Sequence, residues 1–127
     1  MTSQNYTDKV MEHFISPQNV GNLRGANGTG KHGDPGCGDS LVVHIKVVNN
    51  VIEDMKYFVF GCPASIATSS MTTVLAKGKS LEEALKITDE DVIEALGGLP
   101  EAKKHCSNLG VTALRNAIDD YYTNHSK

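Results

Sequence analysis

The chain has 127 residues, 39% of them hydrophobic and 21% charged, which suits one globular domain with a modest core and excludes a disordered protein. Lys and Arg number 12 against 15 Asp and Glu, with no basic stripe, so no nucleic-acid partner is expected. No apolar run approaches the roughly 20 residues of a membrane span, and the opening MTSQNYTDKV carries neither a secretory core nor an Arg-rich transit face; no membrane association and a cytoplasmic location are expected.

Tyr6, Val10 and Phe14 fall four apart and predict a first helix over 5–15. Ser16-Pro17 ends it, because proline disfavours helical backbone in the residue before it. Residues 21–38 hold seven of the twelve glycines and read as a loop. Within it, Gly28 to Gly33 matches GxGxxG and Gly25 to Lys31 matches GxxxxGK, but His32 stands where a phosphate loop needs Ser or Thr. Neither pattern has a strand before it and a helix after it, so nucleotide binding is not read from them.

Residues 41–48 and 52–60 read as two strands. Placing Leu41, Val43, Ile45 and Val47 on one face asks for Val59, Tyr57 and Met55 opposite, and sets Lys46 across from Asp54. That register predicts a three-residue turn over Asn49, Asn50 and Val51; a two-residue turn would put Asp54 and Lys56 among the core residues. A helix of small residues follows over 65–77, ending at Gly78. Shorter helical pieces follow over 81–87 and 89–96, the second capped by Thr88. Gly97-Gly98-Leu99-Pro100 breaks the chain, and a last helix over 107–122 puts Leu109, Ala113, Ala117 and Tyr121 on one face. The fold class is therefore α+β: one domain, 1–127, with a small antiparallel sheet packed against several α-helices.

Three cysteines cannot all pair internally, and in a reducing cytosol thiols are more often buried filler, metal ligands or nucleophiles than cross-links. Cys37 sits in Gly36-Cys37-Gly38-Asp39, where flanking glycines let the backbone approach a bulky group. Two residues on, Asp39 would project to the same side in extended geometry, a hard oxygen donor beside a soft sulfur. A surface turn with an incidental thiol is the competing reading. Cys62, in Phe60-Gly61-Cys62-Pro63, falls where the second strand meets the small-residue helix; a helix N-terminus favours thiolate, although a buried apolar cysteine is also consistent. Cys106 follows Lys103, Lys104 and His105 at the start of the last helix, and these neighbours favour deprotonation. Such a thiol suits metal ligation or acceptance of sulfur as a persulfide.

All three thiols lie at element boundaries. If the helices fold back over one end of the sheet they converge, and three thiolates with one N or O donor could complete a [2Fe–2S] cluster or a tetrahedral zinc site. Spacings of 25 and 44 residues do not by themselves diagnose either.

At these residues the chain resembles the IscU/NifU N-terminal family of iron–sulfur scaffold proteins. The resemblance is carried by Cys37-Gly38-Asp39, Phe60-Gly61-Cys62 with its Ala/Ser-rich helix, Lys77-Gly78-Lys79-Ser80-Leu81 and His105-Cys106-Ser107, together with Val10 to His13 and Pro17 to Gly21. It implies a scaffold and carrier rather than an enzyme, on which a [2Fe–2S] cluster is built from iron and desulfurase-derived sulfur at one end of the sheet. Cys37, Cys62 and Cys106 would be the cluster thiolates, Asp39 or His105 the remaining ligand, and Cys106 the persulfide acceptor. The implied partners are a cysteine desulfurase, an electron donor such as a ferredoxin, and recipient apoproteins, with room for a homo-oligomer. Zinc suits the same ligands, and the alternative is a zinc-dependent sulfurtransferase of the SufU type. That branch carries an insertion between its second and third cysteines and lacks the histidine; here 43 residues separate Cys62 from Cys106 and His105 is present, which fits the IscU branch. Full-length NifU proteins add further iron–sulfur domains, and none is expected here. One departure concerns the LPPVK sequence bound by a dedicated DnaK-class chaperone. This chain reads Leu99-Pro100-Glu101-Ala102-Lys103, which makes chaperone contact doubtful.

Overall fold

The computed structural model describes residues 6–34, 39–100, 104 and 106–125. Along the chain run α1 (Asp8–Ile15), β1 (Gly28–Asp34), β2 (Asp39–Val48), β3 (Val51–Phe60), α2 (Pro63–Ala76), α3 (Leu81–Leu85), α4 (Asp89–Ala95) and α5 (Ser107–His125). The three strands form one antiparallel sheet in the order β1-β2-β3. Helix α5 packs on β1 and β2, α2 packs on β3 and α5, and α1 lies against α2. The α+β expectation is met. Among the described residues no helix is long and apolar enough to cross a membrane.

The hairpin β2–β3 has the expected register with a different turn. Leu41 faces Val59, Val43 faces Tyr57, Ile45 faces Met55 and Lys46 faces Asp54. Yet Val48 pairs with Val51, so the turn holds only Asn49 and Asn50, with φ of 54° and 66°. Two successive left-handed residues make the tight turn whose twist matches a hairpin, and Asn tolerates that conformation better than most side chains. The missing residue reappears as a bulge: the register shifts between Lys46 and Val47, so that Val47 faces Ile52 and Glu53 is the extra residue. Apolar alternation therefore holds along the hairpin, and Leu41, Val43, Ile45, Val47, Ile52, Met55 and Tyr57 are all buried.

The glycine-rich stretch is not all loop. Residues 28–34 form β1, which places the GxGxxG pattern within a strand that leads to another strand. The cause is steric. A Cβ on Gly30 would lie 2.1 Å from the carbonyl oxygen of Ala113 and 2.4 Å from the amide nitrogen of Ala117, and one on Gly28 would lie 2.6 Å from the Ala117 oxygen. Glycine at alternate positions of β1 thus meets alanines four apart on α5, and helix and strand approach backbone to backbone.

The remaining helices match their local signals. Thr7 caps α1, its hydroxyl accepting from the Val10 amide at 3.1 Å and donating to the Leu96 carbonyl. On α1, Val10 and His13 are buried while Phe14 is only half-buried. Ser80 and Thr88 form reciprocal capping boxes with Glu83 and Asp91. Leu109, Ala113 and Ala117 face inward on α5 as expected, joined by Val111, Leu114 and Ile118, because this helix is enclosed by the sheet and by α2.

Candidate metal centre

Three chain segments meet at the end of the sheet away from the Asn49-Asn50 turn. Asp39 begins β2 on its inward face, Cys62 caps α2 directly after β3, and Cys106 immediately precedes α5. Asp39 and Cys106 are buried and Cys62 is half-buried. Their carboxylate oxygen and sulfur atoms all lie within 4.8 Å of one another. The Sγ atoms of Cys62 and Cys106 are 3.9 Å apart. Two thiolates on one tetrahedral ion, each about 2.3 Å from it, would be about 3.8 Å apart. The sulfurs therefore already have the spacing of a shared metal, well beyond the roughly 2.05 Å of a disulfide.

The first turn of α2 fixes this arrangement. Cys62 is extended, with φ −78° and ψ 170°, and Pro63 takes the first helical position, where its missing N–H is no loss. Three residues past the cap, the fully buried Ser65 hydroxyl lies 3.4 Å from Cys62 Sγ and donates to Asp39 Oδ2. Thr68 donates to the Cys106 carbonyl at 3.1 Å, holding the entry to α5 against α2. Gly61 leaves room for the carboxylate: a Cβ there would fall 2.6 Å from Asp39 Oδ1.

The two thiols are shifted in opposite directions. Burial works against the Cys62 thiolate, but the Ser65 hydroxyl, the Ser65 amide, Cys106 and the Ala64 amide together bring the thiol below its ordinary value. Burial pushes the Cys106 thiol up to about 12, against the Ser65 hydroxyl and with help from the negative charges of Cys62 and Asp39. The expectation that basic neighbours deprotonate Cys106 is thus corrected for the metal-free protein. Burial is the largest cause, and Lys104, the one basic neighbour among the described residues, is exposed. A bound cation reverses this balance, since a coordinating thiol gives up its proton.

Of the five residues singled out in the sequence, the structure brings Asp39, Cys62 and Cys106 together; Cys37 and His105 lie outside the described residues, as do 101–103 of the Leu99-Pro100-Glu101-Ala102-Lys103 segment. Ser65 was not among the candidates. Its signal is positional, since the third residue of a helix faces its cap, as in a capping box.

The profile of the NifU-like N terminal domain matches residues 5–127. The iron-sulfur cluster assembly scaffold protein IscU 1 of Archaeoglobus fulgidus is 57% identical over 122 residues, covering 96% of this chain and 80% of its own. IscU of Aquifex aeolicus is 51% identical over 118 residues, covering 91% of this chain and 75% of its own. In fold, the chain is similar to the crystal structure of a nitrogen-fixing NifU-like protein (N-terminal) from Brucella abortus, with a TM-score of 0.77 at 17% identity over 96% of this chain and 97% of that one.

Proposed function

Since the chain belongs to the NifU-like N-terminal domain family, we propose that it is a scaffold for iron–sulfur cluster assembly and that its cargo is a [2Fe–2S] cluster. The observation that carries this reading is the Cys62–Cys106 sulfur separation of 3.9 Å beside a buried carboxylate. Cys37 and His105 would complete the ligand set. In the sequence, Cys37 precedes Asp39 by two positions and His105 adjoins Cys106.

Assembly begins with ferrous iron as substrate, taken up by thiolates and by Asp39. The cation lowers the thiol pKa of Cys106, which then attacks the terminal sulfur of a cysteine desulfurase persulfide and releases the desulfurase thiolate. Two electrons from a donor such as a ferredoxin reduce the Cys106 persulfide, returning the thiolate and freeing sulfide. The chain is a carrier in this scheme and catalyses no net turnover. The finished cluster leaves to a recipient apoprotein by ligand exchange, beginning at the carboxylate, the poorest match for cluster iron. Two sulfurs this close must not close into a disulfide between rounds, which suits the reducing cytoplasm.

Anaerobic incubation with ferrous iron, cysteine and a cysteine desulfurase tests the proposal. The visible charge-transfer absorption of a [2Fe–2S] cluster should appear and be lost in Cys62→Ser. A protein that holds zinc and takes up sulfur without developing that absorption would instead be a zinc-dependent sulfur acceptor.

A further inference from the structure

We propose that Ser65 is a positioning residue for metal exchange: it holds the Asp39 carboxylate when that group is off the metal. Release then trades one Asp39 bond for another. The inference rests on the scaffold reading, in which Asp39 is the ligand that comes and goes.

Asp39 is 6% exposed, so a carboxylate that let go of a cation would face a large desolvation cost without a donor. Among the described residues the donor is the Ser65 hydroxyl, bonded to Oδ2. Ser65 is itself fully buried, and its backbone is fixed in the first turn of α2, with its carbonyl accepting from the Ser69 hydroxyl at 2.7 Å. A hydroxyl has one proton. Given to Asp39, it stabilises the detached carboxylate; turned toward Cys62 Sγ at 3.4 Å, it is out of the way when Asp39 binds metal. On the other side a Cβ at Gly61 would fall 2.6 Å from Oδ1, so the bare backbone there is what lets the carboxylate sit against the hydroxyl. The serine thus competes with the cation for one ligand, and so favours release.

The test uses zinc alone, with no iron, sulfide or desulfurase, so it reads this coupling even if cluster assembly fails and can fail while assembly succeeds. The full chain is compared with Ser65→Ala, Ser65→Thr, Asp39→Ala and the double variant. Zinc transfer to an excess of chromogenic chelator gives the release rate, and thermal unfolding is followed with and without zinc. Ser65→Ala should slow release about tenfold, the scale of one hydrogen bond to a charged group. It should also lower the melting temperature of the metal-free form while leaving the zinc form unmoved. Ser65→Thr, which keeps the hydroxyl, should behave as the parent. In the Asp39→Ala background, Ser65→Ala should change neither quantity. Equal effects in both backgrounds, equal destabilisation of both forms, or faster release would overturn the proposal.

Discussion

The Cys62 and Cys106 sulfurs stand 3.9 Å apart across 44 residues of chain, and the environment gives them unlike affinities for a proton. Cys62 is half-buried and held below the ordinary thiol value, whereas Cys106 is buried and raised to about 12. In metal-free protein at about pH 8, iodoacetamide should therefore modify Cys62 on the order of tenfold faster than Cys106, read by peptide mass spectrometry. Saturating zinc should protect both.

Asp39→Ala removes the oxygen donor and leaves the thiols in place. An assembled cluster should then persist severalfold longer in the presence of a recipient apoprotein, followed by the decay of its visible absorption. A lifetime no longer than the parent's would exclude Asp39 as the exchanging ligand.

Gly61→Ala places a Cβ 2.6 Å from Asp39 Oδ1 and 3.0 Å from Ser65 Cβ. The backbone there is not left-handed, so the effect falls on the site. Zinc affinity, measured by chelator competition, should drop by roughly 10- to 100-fold, the range found when groups supporting a ligand are disturbed. The far-ultraviolet circular dichroism should be unchanged.

Gly30→Ala is a change of the opposite kind. Its Cβ would meet backbone atoms of Ala113 and Ala117, which no rotamer change can clear. Overpacking of this kind costs about 1–3 kcal/mol or more, so the denaturant midpoint should fall markedly, whereas Gly78→Ala, with no heavy atom near, would feel only its left-handed φ of 85°.

Acid should weaken the fold through His13. Burial holds its imidazole below the ordinary value, with Glu12 opposing and Lys9 assisting, and its Nδ1 lies 2.7 Å from Ser70 Oγ. Between that depressed value and the unfolded value of about 6.5, the unfolded chain binds more protons, so stability must fall as pH drops through this window. The urea midpoint should be lower at about pH 5.5 than at about pH 7.5, and His13→Gln should reduce the difference.

Much of the fold was legible where a local pattern and the tertiary structure ask for the same thing. Thr88 caps α4, Ser16-Pro17 ends α1, and Leu41 to Val47 set the hairpin register because one face had to be buried. β1 is hidden in the sequence because seven glycines within residues 21–38 look like freedom of the backbone, when at Gly28 and Gly30 they mark contact with α5. The turn length differs from expectation because spacing alone cannot separate a three-residue turn from a two-residue turn plus a bulge. At the site, the junctions holding Cys62 and Cys106 could be read, but the upward shift of the Cys106 thiol could not: its largest cause is burial, which the tertiary packing sets.

The bulge at Glu53 reaches further than its own neighbourhood. Every β3 partner of β2 from Lys46 to Ser40 is displaced by one residue because of it, and continuing that pairing brings Gly61 across from Asp39. Without the extra residue the same count would end on Phe60, and an aromatic ring would be offered where a bare Cα now makes space. The hairpin therefore behaves like a vernier: one unit added at the bend selects the cross-strand neighbour of the carboxylate roughly 25 Å away, at about 3.3 Å per strand residue.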